Sequence, residues 1–169
     1  MLKVLVPVDG SANALRAVRQ AVADYQRHHE LEVHLLNVQA PLSRHIARFI
    51  SRDDRSAWHE EQASERMAGA VALLRQAGVP HQVHWCVGDR AAEICAAAER
   101  LAMHHIVMGT ARKNSITRML EDSVTNKVLE RTPVPVQVVA GAAVSRWEKW
   151  GLPLGGLGLG GLLVFVAID

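Results

Sequence analysis

Alternation constrains this chain more than any other feature: five short, β-branched apolar runs are separated by four segments whose apolar residues recur at helical spacing. The first run, Leu2-Lys3-Val4-Leu5-Val6-Pro7-Val8, ends at Asp9-Gly10-Ser11, after which Ala14, Leu15, Ala17, Val18, Ala21 and Val22 share one helix face. Ser11 or Asp9 supplies the cap, because a short side-chain oxygen accepts from the first unpaired backbone N–H groups. Strands over Leu31 to Val38 and Gln82 to Val87 bracket a long amphipathic segment from Ser56 to Gln76, which Gly78 closes. Gly88-Asp89 then leads into a helix carrying Ala91, Ala92, Ile94, Cys95, Ala98 and Leu101. The strand His105-Ile106-Val107-Met108 ends on Gly109-Thr110, and a helix over Ser123 to Arg131 precedes the last strand, Val136 to Val139. Strands as continuously apolar as Val4 to Val8 must be covered on both faces, and parallel neighbours require right-handed crossovers. The expectation is an α/β, Rossmann-like open sheet of five parallel strands in the order 3-2-1-4-5, with helices on both faces. Such sheets bind ligands beyond the carboxyl ends of their strands where the winding reverses, here between strands one and four. Asp9-Gly10 and Gly109-Thr110 both fall there.

Composition narrows the function classes. A length of 169 residues accommodates one domain and an appendage, and 49% hydrophobic with 21% charged residues is the composition of a globular chain. The net charge of +2 gives no overall electrostatic reason to expect nucleic acid. Cys86 and Cys95 form neither a CxxC motif nor a disulfide framework, and the chain opens on a strand-like run, so the folded part is expected in a reducing cytoplasm. Both cysteines suit small buried hydrophobes. Nine histidines invite a metal reading. Yet His81/His84 and His104/His105 point to opposite faces of a strand, and with His28-His29 they find no carboxylate or cysteine that completes a ligand set; no metal is expected. Ser11 lacks the strand-to-helix elbow of a nucleophilic serine, and the chain is not expected to be an enzyme.

Taken together, Val6-Pro7-Val8-Asp9-Gly10-Ser11, Val87-Gly88-Asp89, Ile106-Val107-Met108-Gly109-Thr110, Asp122-Ser123-Val124-Thr125 and Pro133-Val134-Pro135-Val136 resemble the universal stress protein family over residues 2 to 140. The resemblance implies a nucleotide pocket in some members. Those that bind ATP carry Gly, two residues, Gly, nine residues, Gly, then Ser or Thr, a pattern that lets backbone N–H groups approach phosphates unobstructed. Here Gly109 and the hydroxyl of Ser123 are kept, but Arg112 stands for the second glycine and Asp122 for the third. Glu121 and Asp122 add like charge beside a triphosphate, while Arg112 and Lys113 are side-chain donors that partly replace the lost cradle. Asp9 matches the family's acidic residue after strand one, and Val38 the position whose backbone meets adenine. The candidate cofactor-binding residues are therefore Asp9, Val38, Gly88, Gly109, Thr110, Arg112 and Ser123, with ATP or AMP bound weakly if at all. For Asp9 a helix-capping or turn role weighs as much as ligand contact; for Gly88 and Gly109 a turn role weighs more, and for Ser123 a capping role.

The domain spans residues 1–143, and a different composition follows in 144–169. Nineteen residues from Trp150 to Ile168 carry no charge, enough at ~1.5 Å each to cross most of a ~30 Å hydrocarbon core. Arg146 and Lys149 precede them, Trp147 and Trp150 sit at the expected interface, and the orientation leaves the domain in the cytoplasm. Six glycines and Pro153 weaken the helix, and Gly151/Gly155 and Gly156/Gly160 have the spacing of close helix contacts. The tail reads as a C-terminal single-pass inner-membrane anchor, the alternative being a sticky segment packed on a partner subunit.

The resulting expectation is a non-enzymatic stress-response regulatory protein with a degenerate nucleotide pocket. It is a homodimer through the last strand, is tethered at residues 150–168, and acts on a protein partner that the sequence does not identify. Its rivals are an ATP or AMP sensor with slow hydrolysis and a pure protein-interaction module.

Overall fold

A computed structural model describes residues 1–43, 45, 48–110 and 124–140. The expected C-terminal helix, its membrane anchor and the loop carrying Arg112 and Ser123 lie outside these residues. Among the described residues no helix is long and apolar enough to cross a membrane. Five strands, β1 (Leu2–Pro7), β2 (Leu31–Gln39), β3 (His81–Val87), β4 (His105–Thr110) and β5 (Val136–Ala140), form one sheet in the order β3-β2-β1-β4-β5. Every neighbouring pair is parallel. The four crossovers contain α1 (Ala12–His28), α2 (Arg52–Gln76), α3 (Arg90–Arg100) and α4 (Val124–Arg131). Fold class and strand order are those expected.

The helices start where short polar side chains meet unpaired N–H groups. Ser11 caps α1 by accepting from the Ala14 N–H at 3.2 Å, and Asp89 caps α3 by accepting from the Ala92 N–H at 3.0 Å. Helix α2 begins four residues before the amphipathic pattern does. Its cap is Ser51, whose hydroxyl accepts from the Asp54 N–H at 3.0 Å and donates to the Asp54 carboxylate at 2.7 Å. The first turns are exposed, so they leave no apolar trace.

Strand alternation divides the core in two. Val4, Val6, Val33, Leu35 and Val107 point toward α1 and α2, meeting Ala17, Val18, Met67 and Leu74. Leu5, Leu36, Val38, Ile106 and Met108 point toward α3 and α4, meeting Ile94, Ala98 and Val128. The paired faces explain why the central strands are apolar at consecutive positions, each fully covered valine or leucine contributing ~1.5–3 kcal/mol. Small residues on α1 bring it close to β4. A Cβ on Gly109 would lie 1.9 Å from the Asn13 carbonyl oxygen, so no other residue fits there without displacing the first turn of α1.

Candidate functional site

The crevice at the winding reversal is built from the ends of β1, β2 and β4 and the starts of α1, α3 and α4. Its described walls enclose about 120 Å³. Asp9 and Gly109 meet there, as the topology requires, and so does Val38, the position that the resemblance singles out. Val38, Leu36, Ile94 and Met108 form an apolar side, and Asp9, Ser11, Arg90 and Thr125 a polar one.

Asp9 follows β1 in a tight turn whose next residue, Gly10, has φ +85°. The Asp9 carboxylate accepts the Ser11 N–H at 2.9 Å. Burial acts to raise its pKa, but the hydroxyl and N–H of Ser11, the backbone N–H of Asp9 and the Arg90 charge outweigh it, so the net pKa lies below the ordinary carboxylate value. The group is an anion at neutral pH with acceptor capacity to spare. The turn is braced from β2: the Asn37 amide, wholly buried, donates to the Val8 carbonyl at 2.7 Å. Asn37 thereby positions the residue before Asp9, while its own Oδ1 is buried without a partner among the described residues.

Other expected site residues are placed elsewhere. Gly88 follows β3 and is not among the crevice walls; its N–H donates to the Gln39 carbonyl at 2.9 Å. Thr110 ends β4 opposite Ala140 and is not among the crevice walls. Arg112 and Ser123 lie outside the described residues. Ser11 proves to be the α1 cap and Asp9 its turn partner, so the capping role and the crevice role are combined in one motif. Arg90 was not legible as a site residue: its only sequence signal is its place immediately after the Asp89 cap, which puts it at the helix start that faces the crevice.

The histidines also pair in ways that the sequence does not show. Register sets His84 beside β2, where its Nε2 lies 3.0 Å from Nδ1 of His34, with the ring planes only 4° apart. Glu32, 3.7 Å from His34 Nε2, favours the proton there, so that Nδ1 accepts and His84 donates. Desolvation lowers the pKa of both rings. Cys95 is buried, and Cys86, half-buried on β3, has a thiol pKa pushed up to about 11 by burial and by Glu93. Such a thiol is inert as a nucleophile at neutral pH. Among the described residues, no group of three or more metal-ligating side chains is assembled.

Residues 1–140 match the Universal stress protein family. The Universal stress protein MJ0531 of Methanocaldococcus jannaschii is 27% identical over 143 residues, which cover 81% of this chain and 81% of that protein. The solved structure of the hypothetical protein MJ0577 aligns at a TM-score of 0.68 with 27% identity, over 84% of this chain and 97% of its own. A universal stress protein family member of Arabidopsis thaliana with AMP bound has the same fold, at a TM-score of 0.63 and 19% identity over 85% of this chain and 94% of its own. Two further structures of this fold are complexes, one with cAMP and one, from Archaeoglobus fulgidus, with dAMP.

Proposed function

The chain belongs to the universal stress protein family, and from that premise we propose that it is a regulatory, non-catalytic binding protein. Its β1/β4 crevice takes an adenine nucleotide of the AMP type at least as readily as the triphosphate. The observation that carries this reading is the ionised Asp9, braced by Ser11 and Asn37 at the mouth of an apolar slot. A carboxylate held in this way accepts from the ribose hydroxyls, while Val38, Ile94 and Met108 offer the contact surface a purine needs. Arg90, at the rim, supplies a cation for one phosphate group. Several structures of the same fold hold AMP, cAMP or dAMP. For a triphosphate the sequence is less suited: one glycine of the family's three-glycine pattern remains, and Glu121-Asp122 would meet the added charge.

The test is what leaves with the purified protein. Acid extracts should contain AMP or a related adenosine monophosphate in excess over ATP; extracts free of any adenine compound, combined with no AMP binding on titration, would remove the nucleotide reading and leave a protein-interaction module.

The same reading includes a homodimer through β5, because this edge strand carries the exposed Val138, and unpaired apolar edges call for a partner. It also includes a membrane tether at residues 150–168, supported by the uncharged sequence there. Resistance of the full chain to alkaline carbonate extraction, lost when the chain stops after Ala143, is the result expected of a tether.

A further inference from the structure

A second, open depression of about 380 Å³ lies at the carboxyl ends of β2 and β3, on the far side of β2 from the nucleotide crevice. Leu42, Trp85 and Val87 give it apolar walls, Arg52 and Arg55 stand at the start of α2, and His59 lies in its lining. The histidine is the informative residue. It is only 6% exposed, and its hydrogen bonds fix which nitrogen carries the proton. The Gln39 amide donates through Nε2 to the His59 carbonyl at 2.6 Å, so its Oε1 is the atom 2.7 Å from the imidazole Nδ1. A carbonyl oxygen only accepts, and therefore Nδ1 bears the hydrogen and Nε2 presents a lone pair. Desolvation keeps the ring neutral.

No described residue bonds to Nε2. His59 is itself one of the residues that line the opening. The ring is locked on its other sides, edge-on to Trp58 at 4.9 Å and nearly parallel to Trp85 at 6.4 Å between centroids. Arg55 uses its Nε on the Ser51 carbonyl at 3.2 Å, and neither guanidinium is ion-paired with a carboxylate among the described residues. Two cations, an apolar wall with an indole in it, and a fixed acceptor at the base define a ligand by chemistry.

We infer that this cleft is a second small-molecule site, which takes an organic anion with an aromatic body and an O–H or N–H group: the anion on Arg52 and Arg55, the ring against Trp85, and the donor on His59 Nε2. It is separate from the nucleotide crevice and does not depend on it. A regulatory protein built this way reads a nucleotide and an aromatic acid at two places along one sheet edge.

The probe is 8-anilinonaphthalene-1-sulfonate, which carries a sulfonate, two aromatic systems and an N–H, titrated by fluorescence into the full chain. The expected result is one saturable site in the micromolar range that AMP does not displace. Affinity should drop tenfold or more in the surface variant Arg52→Ala/Arg55→Ala, while binding of the uncharged N-phenyl-1-naphthylamine is unchanged by the same substitutions. Nitrogen-detected NMR of the histidine rings should show His59 as the Nδ1–H form, with its Nε2 resonance moving when the sulfonate binds. Dye binding undiminished in the double variant, absent from the full chain, or displaced by AMP would overturn the proposal, as would an Nε2–H tautomer at His59.

Discussion

The two depressions along the carboxyl edge of the sheet are assembled on different principles. The β1/β4 crevice is made by backbone: a turn at Asp9-Gly10, a strand end at Gly109 where α1 comes so close that no side chain fits, and Asn37 holding the Val8 carbonyl. The β2/β3 cleft is made by side chains that find one another across the fold: Gln39 with His59, His59 with Trp85, and, further along the same pair of strands, His34 with His84. Backbone-built sites tolerate little change at their glycines and turns. Side-chain-built sites tolerate changes of backbone but depend on burial and protonation.

The largest expected effect tests that contrast with one methyl group. In Gly109→Ala the new Cβ meets the carbonyl of Asn13, which is backbone and cannot swing away, so α1 must move off β4. A loss of about 3 kcal/mol is expected, typical of severe overpacking, or roughly 10 °C in melting temperature for a domain of this size. In Gly88→Ala, just after β3, the Cβ meets the Glu93 side chain from Cγ outward, atoms that move with side-chain rotation and not backbone, and the cost should stay below about 1 kcal/mol. Equal losses in thermal denaturation would break the comparison.

Asn37→Ala comes next. It leaves the buried Val8 carbonyl without its donor, a cost of ~1–3 kcal/mol, and loosens the residue preceding Asp9. Chemical denaturation should register the loss, and AMP affinity should fall in the same variant although Asn37 is absent from the crevice walls. A destabilised protein with undiminished AMP affinity would confine Asn37 to the core.

The pH dependence sharpens the other half. Burial lowers the pKa of His34, His59, His84 and His105 below the ordinary 6.5. The unfolded chain therefore takes up protons at a higher pH than the folded one. Stability present above the unfolded value is lost as pH falls through 6.5 toward the folded values. Asp9, whose pKa is also lowered, loses its contribution only as pH falls below 3.8. Between pH 7.5 and 5.5 the melting temperature should thus decline through these histidines, while Asp9 contributes nothing to the change. His84→Gln, which removes one member of the β2/β3 pair, should flatten that slope.

The same contrast explains how much was legible in advance. Strand order and the position of the crevice follow from apolar runs such as Val4 to Val8 and from the winding reversal, which are local patterns plus one topological rule. Asp9 and Gly109 are accessible for that reason, whereas Val38 enters through the family resemblance. Gly88 enters the candidate list only through the resemblance, with a turn role weighing more, and the structure places it after edge strand β3, outside the crevice walls. Arg90 was missed because its role depends on which helix start faces which strand end. Helix α2 was begun too late because its capped first turns bear no apolar stripe. The Gln39–His59 pair, twenty positions apart, and the His34–His84 pair, fifty apart, depend on packing and register, neither of which leaves a periodic signal.

The central claim, an AMP-type nucleotide held through Asp9 in a crevice poorly furnished for triphosphate, is tested most directly by calorimetric titration of AMP and MgATP into the full chain and into Asp9→Asn. The prediction is that MgATP binds more weakly than ~100 μM, about 5.5 kcal/mol or less of binding free energy, and that AMP binds at least as tightly as MgATP. Asp9→Asn should weaken AMP tenfold or more. Low-micromolar MgATP, or AMP affinity indifferent to Asp9→Asn, would contradict it.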